Sequence, residues 1–460
     1  MKRYQSIMLF LILGILLFTC GKTNVSAETV TGKLGDNITW KLEMETGLLT
    51  ISGKGDMLDC KHKKIPTVWP GDPSCWFDFD DHMWHNTGEQ EEAVKKVVIE
   101  EGVTSITAHA FHDCINLETI VIPDSVTRIE HCAFYDCYNL REINIPDKVT
   151  VIEDYAFDGC GLKKIKLPKN LKKIGYRAFR CCDFKQISIP SSVEIIEANA
   201  FEGCLDLEKV TWEGKSRLQE IKTWAFIDCN IKKLVIPASV TKIQDSMAVN
   251  GAYEIKVEKG NKKYKSKDGV LFSKDGKTLI CYPRKRKAKT YKIPKGVRTI
   301  GTSAFYYMFE EDLGYHNLKK ITMPDSVRVI KSRAFNNLAD VKIERLSKNL
   351  KRIEENAFIG CDIMSLKLPD SLVYIGDLCF QNKKGTIVIP KNVKEIHSFS
   401  IPPKVKKVVV KSKKIKNLSK KAFFTWNKKV TIVLPKSKKT AYKKLFTKKR
   451  LGKKMKFIYQ

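Results

Sequence analysis

Apolar residues recur along this chain in the order Leu-x-x-Ile-x-Ile-Pro-x-x-Val-x-x-Ile, followed by Ala-Phe, with a period of 22–23 residues through much of its length. The two isoleucines alternate with polar neighbours at period 2, which predicts a short strand buried on one face. Proline has no N–H to offer a ladder and ends that strand. The apolar-Pro step recurs at Ile122-Pro123, Ile145-Pro146, Leu167-Pro168, Ile189-Pro190, Ile236-Pro237, Ile293-Pro294, Met323-Pro324, Leu368-Pro369, Ile389-Pro390 and Leu434-Pro435. Val-x-x-Ile pairs such as Val126/Ile129 and Val149/Ile152 follow it. The Ala-Phe step comes next, at Ala110-Phe111, Ala133-Phe134, Ala156-Phe157, Ala178-Phe179, Ala200-Phe201, Ala225-Phe226, Ala304-Phe305, Ala334-Phe335, Ala357-Phe358 and Ala422-Phe423. These two motifs are expected to turn the chain back under the strand. One such unit cannot cover its own apolar face, but stacked units cover one another. The predicted fold is a repeat solenoid of stacked short parallel strands, about twelve coils and on the order of 55–60 Å long at about 4.8 Å per strand.

The full unit, Ala-Phe-x-x-Cys-x-x-Leu-x-x-Ile-x-Ile-Pro-x-x-Val-x-x-Ile, is carried nearly whole by residues 111–134. It resembles the BspA-type leucine-rich repeat, found in surface proteins of bacteria and some protist parasites, and the resemblance spans about 93–435. It implies a leucine-rich-repeat protein of the cell surface that adheres to host proteins or other cells. Gly35-Asp36-Asn37-Ile38-Thr39-Trp40, Gly47-Leu48-Leu49-Thr50-Ile51-Ser52-Gly53 and Val97-Val98-Ile99 resemble the segment that often precedes such arrays. Residues 268–283 resemble a longer variant repeat with a β-hairpin, turning at Asp275-Gly276 between Val270-Leu271-Phe272 and Thr278-Leu279-Ile280. The expected organisation is a signal peptide over 1–27 and a β-rich N-terminal capping segment with a loop insertion over 28–92. Repeats follow over 93–250, then a basic variant repeat over 251–292, repeats over 293–400, and a final coil with a lysine-rich C-terminal cap over 401–460. Three coils break the pattern: Met247-Ala248 replaces Ala-Phe, and Trp212-Glu213 and Leu346-Ser347 replace the apolar-Pro step. Bulges or kinks are expected there.

Charge changes the picture further. The chain carries 83 Lys+Arg against 51 Asp+Glu, a formal +32. Residues 251–300 hold 16 basic and 4 acidic side chains, and residues 401–460 hold 22 basic and none acidic, so the other 350 residues net −2. A neutral array with two basic attachments fits this layout better than an enzyme with a basic nucleic-acid cleft.

The N-terminus reads as an export signal: Lys2 and Arg3 precede the apolar run Ile7 to Phe18, and Val25-Ser26-Ala27 precedes a cleavage point between Ala27 and Glu28. The run is too short to span a bilayer, and the mature chain contains no predicted transmembrane helix. The expected location is secreted or associated with the cell surface. Cys20 offers lipidation as a rival means of retention.

Candidate chemistry is sparse. Seven cysteines fall three residues after the repeat Phe, at Cys114, Cys137, Cys160, Cys182, Cys204, Cys229 and Cys361. They are expected to stack as buried thiols filling a tight turn rather than as a metal or redox site. Cys60 and Cys75 lie outside the repeat and are candidates for a disulfide in an exported protein. Zinc ligation with His62, His82 and His85 is the rival there. Asp78, Asp80 and Asp81 lack the spacing of a calcium loop. His109 and His112 bracket the first Ala-Phe and read as packing. No HExxH, G-x-S-x-G or GxGxxG occurs, so no catalytic residue, metal or cofactor is expected.

The outward neighbours of the strand isoleucines form a ladder instead, with Lys164, Lys166, Gln186, Ser188, Lys233, Lys320, Thr322 and Lys367 as candidate ligand-face residues. The basic candidates for holding a polyanion are Arg284, Lys285, Arg286 and Lys287, together with Lys443, Lys444, Lys448 and Lys449 on a short helix over 441–449 and Arg450 just past it. The reading is a non-catalytic exported binding protein. Its repeat face would take a protein or glycan on host or neighbouring cells. Its basic ends would bind an anionic envelope polymer: a wall polymer, an acidic glycan or, as the only nucleic acid, extracellular DNA. The alternatives are a metal-dependent hydrolase using the 56–92 loop and a purely structural envelope protein.

Overall fold

The structure is a computed structural model describing residues 29–34, 36–57, 92–306, 317–361, 367–380, 384–402, 404–423, 429–451 and 454–460. The signal segment with Cys20, Ala27 and Glu28, the histidine, aspartate and cysteine candidates of the 56–92 loop (Cys60 and Cys75 among them), and the Arg450 side chain lie outside the described residues.

The chain winds as a β-solenoid in which each coil contributes to three hydrogen-bonded columns. The Ile-x-Ile strands form the first, for example Lys164–Lys166 paired parallel with Glu142–Asn144, and Gln186–Ile189 with Lys209–Trp212. The second column differs from the expectation of a plain turn. The Val-x-x-Ile motif ends in a two-residue strand, such as Arg128–Ile129 or Val151–Ile152, and these stack in parallel. Eight of them, from Gly55–Asp56 to Lys242–Ile243, make one sheet. Seven more, from Thr278–Cys281 to Asn417–Leu418, continue parallel in a second. That makes fifteen coils among the described residues rather than about twelve. Proline explains the corner between the columns. Its carbonyl accepts the amide of the Val three residues on (Val126 to Pro123 at 3.1 Å, Val149 to Pro146 at 3.0 Å), so it both ends a strand and opens a turn.

The Ala-Phe turns form the third column. Here each Phe N–H donates forward to the Ala carbonyl of the next coil: Phe111 to Ala133 at 2.8 Å, Phe134 to Ala156 at 2.9 Å, Phe157 to Ala178 at 2.9 Å. In the second column the donors point backward, as with Glu130 to Ile106 at 3.0 Å. Each coil is therefore tied to both neighbours. Inside, the Phe rings stack in line from Phe111 to Phe226 with centroids 5.2–5.6 Å apart.

The variant region keeps this stack going. Val270–Ser273 and Thr278–Cys281 pair antiparallel around the expected Asp275-Gly276 turn. A further strand, Tyr264–Lys267, joins them through Asp268-Gly269, both left-handed. Tyr282 then stands in the Phe place, stacked on Phe305 at 5.1 Å. The preceding coil is read differently from its sequence. Ala248 and Val249 are the fully buried pair, and Met247 is displaced outward, its sulfur accepting Trp224 Nε1 at 3.0 Å. Trp212 causes no kink: it stays in register with Ile189 and donates Nε1 to the Val235 carbonyl at 2.8 Å.

At the N-terminal side, strands Thr29–Lys33, Ile38–Glu43 and Leu48–Gly53 form an antiparallel meander whose last strand pairs parallel with Lys96–Ile99. At the other side, Val405–Val410, Val430–Leu434 and Met455–Tyr459 pair in parallel. The helix expected over 441–449 is instead two pieces, Lys439–Leu445 and Lys448–Leu451. The first buries Tyr442, whose hydroxyl donates to the Ser412 carbonyl at 3.0 Å, and Phe446 is buried just past its end.

Candidate functional site

The outward ladder follows from strand alternation. Lys164, Lys166, Gln186, Ser188, Lys233, Lys320 and Lys367 are exposed, and Thr322 is half-buried. Register sets them in rows: Lys164 opposite Glu142, Lys166 opposite Asn144, Gln186 opposite Lys209 and Ser188 opposite Thr211. Lys320 is paired with Glu344 at 2.7 Å, and the Thr322 hydroxyl donates to the same carboxylate at 2.6 Å. Lys233 lies 3.9 Å from Glu254. Such exposed pairs contribute little to stability and leave the surface near neutral.

The cysteine column has a defined role. In successive coils the thiol donates to the carbonyl of the previous coil's repeat Phe: Cys137 to Phe111 at 3.0 Å, Cys160 to Phe134 at 2.9 Å, Cys204 to Phe179 at 3.0 Å, Cys361 to Phe335 at 2.6 Å. Burial pushes the Cys137, Cys182 and Cys204 thiols well above the usual range. They stay protonated, which suits a donor and disfavours a nucleophile or metal ligand. His112 is buried, stacked on Tyr135 at 4.9 Å, with Nδ1 3.0 Å from Asp113.

A buried carboxylate at one of the turns has a half-buried cationic partner. Asp158 is 1% exposed and accepts from Arg180 Nη1 at 3.2 Å. Burial outweighs the attraction of Arg180 and lifts the Asp158 carboxyl to about 7. Arg180 is itself raised: burial works against its charge, but Asp158 overcomes that. Between the ordinary aspartate value near 3.9 and about 7, the folded chain holds a proton that the unfolded chain has released. The coil should therefore lose stability as pH rises through that window. Asp158→Asn is expected to flatten this dependence and to stabilise the coil at pH 8 by on the order of 2 kcal/mol. Glu202 Oε2, 3.8 Å from Arg180 Nε, keeps the arginine paired in that variant. Amide exchange in this coil from pH 4.5 to 8 checks it, and an unchanged pH slope in the variant refutes it.

The basic run of the variant repeat is not the open patch its sequence suggests. Arg284 turns inward to Asp228, and both side chains are nearly buried, at 10% and 9% exposure. Its backbone N–H donates to Asn250 Oδ1 at 2.9 Å, and Lys285 Nζ donates to Asn230 Oδ1 at 2.5 Å. Burial holds Lys285 below the usual lysine range. These two side chains fasten residues 284–288 as a strap over coils more than fifty positions earlier. Arg286 is half-buried and Lys287 exposed. At the C-terminal end Lys406, Lys407, Lys443, Lys444, Lys448, Lys449 and Lys456 are exposed, with no carboxylate side chain in 401–460 to neutralise them.

Among the described residues no helix is long and apolar enough to cross a membrane. A profile of the BspA type leucine rich repeat region matches in six copies, over residues 89–160, 127–251, 307–424 and 386–458. Among solved structures, the pneumococcal vaccine antigen PcpA is similar at 22% identity and a TM-score of 0.57, over 93% of this chain and all of that one (100%). A leucine-rich repeat protein from Bacteroides ovatus is similar at 23% identity and a TM-score of 0.47, over 92% and 98% of the two chains. One from Eubacterium ventriosum is similar at 20% identity and a TM-score of 0.45, over 84% and 88%. At 22% identity the likeness to PcpA is one of fold. No curated protein matches the sequence.

Proposed function

Since this chain belongs to the BspA-type leucine-rich repeat family, we propose that it is an exported, surface-held binding protein without catalytic activity. The repeat ladder recognises a protein or glycan on host or neighbouring cells, and the lysine-rich end holds the protein to an anionic envelope polymer. The segregation of charge carries this reading: 22 basic and no acidic residues over 401–460, attached to a body that nets close to zero outside its basic variant repeat. A capping coil needs a polar outer face. It does not need one of a single sign, which leaves a polyanion as the matching partner. The antigen PcpA, a pneumococcal protein with this architecture, fits a surface role.

Deleting 401–460 would strip the strand Val405–Val410 that pairs with Gly385–Ile389, so charge substitution is the cleaner test. The full chain with Lys443, Lys444, Lys448 and Lys449 changed to Gln is expected to leave immobilised heparin at lower salt than the parent. Its affinity at physiological ionic strength should fall roughly tenfold or more. Equal elution of the two proteins would remove the lysine-rich end as the anchor.

A further inference from the structure

The strap encloses something besides coil edges. Between residues 286–288 and the corners of the coils at 205–208, 230–232 and 253–254 runs a groove of about 770 Å³, within the usual size of small-ligand sites. Its two sides differ. The strap side presents Arg286 and Lys287. The Arg286 guanidinium lies over the Tyr282 ring, 5.8 Å from its centre, and packs at Gly269 together with the Glu254 side chain; among the described residues neither it, nor Lys287, nor Lys185 at the groove's edge has a carboxylate within ion-pair distance. The coil side presents Asp206, Glu208 and Glu254. Of these, Glu208 is engaged by Lys232 at 2.5 Å and Glu254 faces Lys233 at 3.9 Å. Tyr253 lines the groove with the Lys287 ammonium 6.0 Å from its ring centre, and Leu205 stands beside it, 46% exposed.

We propose that this groove is a binding site for an acidic saccharide, a sugar carrying a single carboxylate. Each side matches one part of such a ligand. A planar guanidinium and an ammonium lining one groove donate hydrogen bonds to a carboxylate. The carboxylates that line the same groove accept hydroxyl donors. An aromatic face with a polar tip takes the apolar face of a sugar ring. The acids on the coil side disfavour a long uniform polyanion, which sets this site apart from the lysine-rich end. The groove is also built before any ligand arrives, because Arg284–Asp228, Lys285–Asn230 and the Arg284 N–H to Asn250 fix the strap, so ordering a loop does not weaken binding.

The test titrates the full chain with N-acetylneuraminic acid and glucuronic acid, with glucose as the uncharged control, followed by calorimetry and by saturation-transfer NMR. Saturable binding of at least one acid is expected, at least tenfold tighter than glucose. Arg286→Ala with Lys287→Ala should lower it at least tenfold, and Tyr253→Ala should lower it several-fold, with circular dichroism unchanged. Lys443→Gln with Lys444→Gln should leave it unaltered. The proposal is overturned if neither acid binds saturably or if glucose binds as well as the acids. It is also overturned if the strap substitutions have no effect, or if binding follows the C-terminal lysines instead. A variant that misfolds is replaced by Lys287→Glu, which alters only an exposed side chain and is expected to abolish binding of the acids.

Discussion

Phe157→Ala is expected to cost about 3–5 kcal/mol and to do so locally. The Phe157 ring is fully buried between Phe134, 5.2 Å away at 4°, and Phe179, 5.4 Å away at 4°. Its removal leaves a cavity and ends two ring contacts, each contributing about 0.5–1.5 kcal/mol beyond burial. The surrounding coils cannot collapse into the gap, because their spacing is fixed on both sides by the sheet ladder and by the forward Phe-to-Ala hydrogen bonds. In a stacked array stability is close to a sum of nearest-neighbour terms. Amide exchange should therefore accelerate in the coils carrying Phe134, Phe157 and Phe179 and stay unchanged around Phe335 and Phe358. Phe157→Leu should cost less, since the leucine side chain refills part of the cavity that alanine leaves open. Uniform acceleration across both regions would show that the array is one cooperative unit and defeat the nearest-neighbour account.

Arg284→Met is expected to be comparably severe, at about 3–5 kcal/mol, because it leaves the Asp228 carboxylate nearly buried and without its partner. The companion change Asp228→Asn should recover most of that loss, since a buried ion pair removed whole is often close to neutral. Asparagine also tolerates the left-handed backbone at 228, where φ is 58°. The four proteins form a double-mutant cycle. Denaturant melts of each should yield a coupling energy of at least about 1.5 kcal/mol. Additive effects would mean that the pair does not fasten the strap. The same cycle separates the strap from the lysine-rich end: loosening 284–288 should spare binding to heparin and weaken the groove.

Much of this architecture was legible in the order of residues. Period 2 around the isoleucines gave the strands, proline gave their ends, and Asp275-Gly276 gave the hairpin. Cysteine three places after seven of the repeat Phe residues gave the buried thiol column. Each of those features is decided by neighbours in the chain or by a repeat that every coil obeys. The candidate site was less legible. Alternation correctly turned the ladder residues outward, but Arg284 and Lys287 stand three apart in one basic run, and nothing local says that the first is buried against Asp228.

The sequence by itself determined the period, the faces of the strands and the composition of the core, because burying a repeating apolar stripe has one solution when coils stack. The tertiary structure alone decided where long-range partners override local preference. Tyr155 and Trp224 adopt left-handed backbone, with φ of 59° and 61°, although bulky side chains disfavour it. Tyr155 is held there by a hydrogen bond from its N–H to the Tyr176 carbonyl of the next coil, at 2.7 Å. Ala248 and Val249, rather than Met247 and Ala248, are the fully buried pair of their coil, with the Met247 sulfur turned to Trp224 Nε1 of the preceding coil. The strap and its groove exist because Asp228 and Asn230 capture side chains more than fifty residues downstream, a contact that no local pattern encodes.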